Sequence, residues 1–136
     1  MNAAFARPDP VDAEAAAFWD AVTRGELLVQ QCAACSAFRH PPGVRCAQCG
    51  SADARWIASP GRGEIWSYTV VHPPTLPAFA HRTPYVAIVV RLDEGVFMVS
   101  NLVDCPVEDV EVGQRVELAL TEVEKGLVLP LFRRAG

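Results

Sequence analysis

Apolar positions recur along this 136-residue chain with two different periods, and one stretch between them shows neither. Near the N-terminus, Phe18, Trp19 and Val22 share one stripe at helical spacing. Asp9 offers a side-chain cap, Pro10 suits a first helical position, and Gly25 is a stop signal. The pattern predicts an amphipathic helix over residues 10–24, preceded by a mobile tail over residues 1–8. The stripe must bury against something, either its own domain or a partner protein. Residues 26–31 then read as a short strand.

From Gly61 the period becomes two. Residues 63–71 alternate, with Ile65, Ser67, Thr69 and Val71 expected on one face and Trp66, Tyr68 and Val70 on the other. Residues 72–84 hold four prolines and predict a long loop, a kind of segment that often carries function. A nearly continuous apolar run (85–92) predicts a central strand, and Asp93-Glu94-Gly95 a hairpin turn into a strand over 96–103. A turn at 110–113, an alternating strand at 115–123 and a last strand at 126–134 complete the series. No helix in this half is long enough for a parallel crossover, so the reading is five short antiparallel strands. That set predicts an OB-fold barrel, with an SH3-like barrel as the structural competitor.

Residues 32–57 are too poor in large apolar side chains to fold by core burial. They do contain C-x-x-C twice, CAAC at 32–35 and CAQC at 46–49, ten residues apart. Two residues between cysteines let one tight turn aim both sulfurs at one ion. Two such turns facing each other supply the four thiolates that a tetrahedral zinc takes at about 2.3 Å. The spacing predicts a rubredoxin-like zinc ribbon with Cys32, Cys35, Cys46 and Cys49 as ligands. A redox dithiol would want a surrounding βαβ pattern, which is absent; an iron–sulfur centre uses the same four-cysteine set. Four protein ligands leave no open position, so the predicted zinc is structural rather than catalytic. The fold class is therefore mainly β: N-terminal tail and helix (1–25), zinc ribbon (26–60) and five-stranded OB-fold barrel (61–136).

Charge sharpens the picture. Residues 24–62 carry five arginines against Glu26 and Asp53, a net +3, whereas residues 93–124 carry nine acids against Arg115, a net −8. The acidic half opposes a nucleic-acid backbone. The N-terminal dozen is polar with no apolar segment, and no run of about 18 apolar residues exists, so neither a secretory signal nor a membrane span is expected and a cytoplasmic location follows by default. No nucleophile elbow, phosphate-binding glycine loop or evident carboxylate pair is present. Cys105, before Pro106, fits no motif.

Taken in order, FWDAVTRGELLVQQC, the two cysteine pairs with Pro41-Pro42 between them, GRGEIWSYTVV, PYVAIVVRLDEG, VGQRVEL and the closing Phe132 resemble one family over residues 14–134. It is the zinc-ribbon/OB-fold family associated with acyl-CoA metabolism, catalogued as domain-of-unknown-function family thirty-five. Ser36 departs from the glycine common in relatives after the second cysteine. The resemblance implies a non-catalytic accessory subunit of a thiolase-fold enzyme, of thiolase or steroid side-chain aldolase type, or of a hydratase. It implies a CoA ester as ligand. The Arg-rich ribbon (Arg39) and Arg62 would meet CoA phosphates. Trp66, Tyr68 and Tyr85 would flank its base, and Phe79, His81 and Arg82 would reach the partner's active-site mouth. Phe18, Trp19 and Val22 are the candidate partner-facing stripe. The alternative is a nucleic-acid-binding zinc-ribbon/OB module.

Overall fold

A computed structural model describes residues 5–9 and 11–136. One helix, α1 (Ala13–Thr23), precedes eight strands: β1 (Leu28–Cys32), β2 (Phe38–Arg39), β3 (Ala54–Ala58), β4 (Arg62–Val71), β5 (Tyr85–Leu92), β6 (Phe97–Val103), β7 (Arg115–Glu124) and β8 (Leu127–Arg134). The first three strands form a small antiparallel sheet, β2-β1-β3, and the last five close a barrel in the order β4-β5-β6-β8-β7. First beside second, second beside third, then fifth and fourth returning to the first is a Greek-key closure of the OB type.

The helix begins later than Asp9 and Pro10 predict. Asp12 is the cap, accepting from the amides of Glu14 and Ala15 at 3.1 and 3.2 Å, while the Asp9 carboxylate takes the Val11 amide in a local turn. Two aspartates compete for the cap, and the one abutting the alanine-rich run wins because its C-terminal neighbours propagate a helix best. The Pro10 expectation lies outside the described residues. At the other end Gly25 stops the helix at φ +96°, with its own amide on Val22 O and the Glu26 amide on Ala21 O, a paired closure that satisfies two orphan carbonyls. Residues 1–4 of the expected mobile tail are likewise outside the described residues. Residues 5–9 are not free: the Phe5 amide donates to Glu124 at 2.7 Å, Arg7 pairs with the same carboxylate, and the Phe5 ring lies edge-on to Phe79.

Two expectations for the barrel fail. The strict alternation of β4 is broken by a bulge at Trp66: Ile65 pairs with Val90, then Ser67 with Val89 and Tyr68 with Ile88. The extra residue exchanges the faces, so Tyr68 and Val70, not Ser67 and Thr69, continue the side begun by Ile65. The barrel is also not wholly antiparallel. β6 and β8 run parallel at Leu102↔Phe132 and Val103↔Arg133, because β7 carries the chain back across the barrel before β8 returns. Gly63 sits where β4 touches both β5 and β7, and a Cβ there would collide with the Arg91 carbonyl, which explains the glycine in the GRGE sequence.

One core serves all parts. Phe18 and Val22 of α1, Leu27 and Val29 around β1, and Ile65, Val86, Ile88, Val90, Leu92, Val116 and Phe132 of the barrel form a continuous buried cluster. The helix thus clamps the ribbon's first strand to the barrel.

Candidate metal centre

Each cysteine pair sits in the same kind of turn. In the first, the Ser36 amide donates to Cys32 O at 2.9 Å and the Cys32 amide to Ala37 O at 2.8 Å. In the second, the Gly50 amide donates to Cys46 O and the Cys46 amide to Ser51 O, both at 2.9 Å. Both turns need a left-handed residue directly after the second cysteine: Gly50 at φ +78° and Ser36 at φ +67°. Ser36 therefore occupies a glycine position and carries its steric cost.

The turns bring the four sulfurs within 4.8 Å of one another, with Cys32 Sγ 3.6 Å from Cys49 Sγ and Cys35 Sγ 3.6 Å from Cys46 Sγ. A tetrahedral ion with arms of about 2.3 Å holds its sulfurs about 3.8 Å apart, so the cage fits zinc. Backbone amides prepare it for anionic sulfur. The Cys35 amide, helped by that of Ala34 and opposed by burial, draws the Cys32 thiol down to about 6. The Cys49 and Gln48 amides lower Cys46 in the same way, Gln48 N lying 3.3 Å from its sulfur. For Cys35 the Ala37 amide favours the thiolate, but its proton is held by the Cys46 sulfur and by desolvation, and the net effect pushes it up to about 12. For Cys49 the Ser51 amide likewise favours the thiolate, yet the hydrogen bond with Cys32 raises it overall. Each 3.6 Å pair therefore has one sulfur ready to ionise and one that keeps its proton until a cation replaces it. Zinc would supply the positive charge that lets all four become thiolates, with its four positions filled by sulfur and none open to water.

The loop between the two turns is held by Gln30 and Arg39. Gln30, 4 % exposed, accepts from Arg39 Nε at 2.7 Å and from the Gly43 amide at 2.8 Å, and Arg39 Nη2 donates to Gly43 O at 2.8 Å. Sequence reading missed this buried clamp, as it missed β2 and β3; the adjacent glutamines Gln30 and Gln31 after the apolar Leu27-Leu28-Val29 run were the available signal.

The remaining candidates do not converge on one site. Arg39 is committed to the ribbon loop. Arg62 lies at the start of β4, opposite Glu117, while Tyr85 pairs with Val71 at the far end of that strand. Trp66 packs edge-on against Phe97. Val22 is sealed in the chain's own core, whereas Phe18, also largely buried, and half-buried Trp19 both line a cavity. Around the proline loop, Phe79 stacks on Tyr85 at 5.4 Å, and the Arg82 guanidinium lies 4.9 Å over the Phe5 ring. Phe79, Tyr85 and Trp19 border a groove of about 480 Å³ between α1, the Pro41-Pro42 turn and the outside of β5, β6 and β8. The acidic half is partly neutralised by Asp93–Arg115, Glu117–Arg133 and Glu124–Arg7. No helix among the described residues is long and apolar enough to cross a membrane.

Known proteins share this architecture. Residues 19–54 match the family described as the rubredoxin-like zinc ribbon domain of ChsH2, and residues 56–121 the one described as its C-terminal OB-fold domain. A protein of Thermomonospora curvata named "Probable enoyl-CoA hydratase alpha subunit" is 42% identical over 130 residues, 95% of this chain but 40% of that protein. The chain thus spans about two fifths of that relative's length. A "DUF35 domain-containing scaffold protein" of Methanothermobacter thermautotrophicus is 31% identical over 75% of this chain and 77% of its own length. A chain solved in a structure titled "Ltp2-ChsH2(DUF35) aldolase" superposes with a TM-score of 0.88 at 40% identity, covering 96% of this chain and 100% of that one.

Proposed function

Since this chain belongs to the ChsH2 family of zinc-ribbon and OB-fold proteins, also known as DUF35, we propose that it is a non-catalytic accessory subunit of an enzyme acting on acyl-CoA. The observation that carries the reading is the full-length likeness to the chain solved in the Ltp2–ChsH2 aldolase. The hydratase-subunit relative supports the same substrate class. The site chemistry agrees: a four-sulfur cage has no vacancy for a substrate, and it serves to fold the segment beside the barrel.

We propose a thiolase-fold enzyme as the partner and a CoA ester as the ligand of the assembled complex. The CoA-facing contact assigned to this chain is the proline loop and the strand after it, with Phe79, His81, Arg82 and Tyr85. Arg82 suits a phosphate, and Tyr85 and Phe79 suit an apolar or aromatic portion. Arg62 and Arg39 sit too far from this cluster, or are too engaged, to join it.

The test is purification of the tagged, zinc-loaded chain from its native host. A catalytic subunit identified by peptide mass should co-elute in fixed ratio, and the eluate should act on an acyl-CoA by hydration or aldol cleavage. Arg82→Ala should weaken CoA-ester binding by the recovered complex several-fold. Recovery of the chain alone, or retention on single-stranded DNA in its place, would defeat the proposal.

A further inference from the structure

Between Ile65 and Val90 the chain contains one formally charged residue, Arg82, and between Val96 and Val103 it contains none. At the chain's overall 21% charged content, the first stretch alone should hold about five. These segments are β4, the proline loop, β5 and β6, three neighbouring strands of the barrel. Their inward residues build the core, so being uncharged there needs no further explanation. The strands' outward residues in these stretches are also uncharged, polar at Ser67, Thr69 and Asn101, and several are exposed apolar side chains. Val99 is 78% exposed, Trp66 55% and Phe97 44%.

The exposed residues are contiguous. Val99 pairs with Val89 and Asn101 with Ala87, which places them in adjacent outward columns. Val99 and Ala87 border two depressions at once: the large groove under α1, and a smaller one of about 160 Å³ lined by Ser67, Tyr68, Thr69 and Val89. Trp66 and Phe97, already packed edge to face, extend the same side of the sheet.

We propose that this outer face of β4, β5 and β6, together with the groove, is the surface on which the catalytic subunit docks, and that the subunit meets it with an apolar, charge-poor surface. The inference rests on the accessory-subunit reading and says where that contact lies. Charge depletion with exposed aromatic anchors is the compositional mark of an interface centre. The groove supplies a mostly apolar socket, in which Ser100 Oγ is committed to Pro130 O and Asn101 Nδ2 to Val86 O. Burial of His40 in its wall lowers that histidine's pKa and so disfavours its cationic form. A single cation on the face disfavours nucleic acid or an anionic membrane surface. The ion pairs Arg91–Glu64 and Arg115–Asp93 lie at its edge, as a polar rim should.

The experiment compares Val99→Glu and Ala15→Glu, one in each part of the surface, with Val112→Glu, an exposed apolar position off these strands that is 65% exposed. Each tagged variant is purified from the native host as above, and its zinc content and melting temperature are checked. Val99→Glu should lose at least tenfold of the co-eluting catalytic subunit, Ala15→Glu should lose it partly, and Val112→Glu should match the parent. Undiminished recovery with Val99→Glu, or equal loss with Val112→Glu, overturns the surface while the accessory role stands. So does a self-association in sedimentation that Val99→Glu abolishes while the enzyme is retained. If the parent chain itself recovers no catalytic subunit, the accessory reading fails and the surface falls with it.

Discussion

The ribbon and the barrel solve the same folding problem by different means. From residue 33 to residue 60, Cys46 is the one buried residue. In β5 alone, Val86, Ile88, Val90 and Leu92 are all buried. A segment with so little apolar burial cannot offset the conformational entropy of ordering it. The ribbon replaces a core with four sulfurs, two matched turns and the Gln30–Arg39 clamp. The barrel needs none of these, because each strand contributes a row of branched side chains to a shared interior. Two parts joined through Phe18, Val22, Leu27 and Val29 should therefore respond to different insults.

Removing the metal is the sharpest way to separate them. Stripping zinc, or Cys46→Ser, should unfold residues 26–57 first, since structural zinc contributes on the order of 10 kcal/mol in small zinc domains. Hydrogen exchange would show fast amides in β1, β2 and β3 and protected ones in β5 and β6. A demonstrably metal-free chain with a protected ribbon would erase the contrast. The same loss should follow acidification. Thiolates hold the ion, so zinc affinity falls as pH falls and protons reclaim the sulfurs, most readily those of Cys35 and Cys49, which hold theirs hardest without metal.

The complementary insult is Phe132→Ala at the fully buried heart of the barrel. It should cost about 3–5 kcal/mol in denaturant unfolding, by lost burial and the cavity left behind. Zinc content per folded molecule should stay at one. If zinc were lost in proportion, the two parts would be one cooperative unit rather than two solutions side by side.

The smallest effect tests the likeness of the two turns. Ser36→Gly should stabilise the chain by up to about 1 kcal/mol, relieving a left-handed serine, while Gly50→Ala should cost about 1 kcal/mol. Thermal melts of the zinc-loaded forms would read both. Near-zero shifts in both would mean that neither turn carries the cost expected of a left-handed residue, whatever their hydrogen bonds.

Much of this was legible before any coordinates. The ligand set was readable because the chemistry is local: a C-x-x-C turn aims two sulfurs whatever surrounds it. The strand series was readable because a period of two reports a half-buried ribbon of chain. The features that the sequence reading missed depend on which distant residues meet. The bulge at Trp66 exists only in register with β5. The Asp12 cap wins only against a rival three residues away, and the parallel β6–β8 closure depends on how β7 crosses the barrel. The groove and its charge-free approach are formed by α1, the Pro41-Pro42 turn and three strands together. Spacing along a chain specifies the shape of a turn or the face of a strand; it carries no term for the partner that a face will find, because that is settled by packing among segments tens of residues apart.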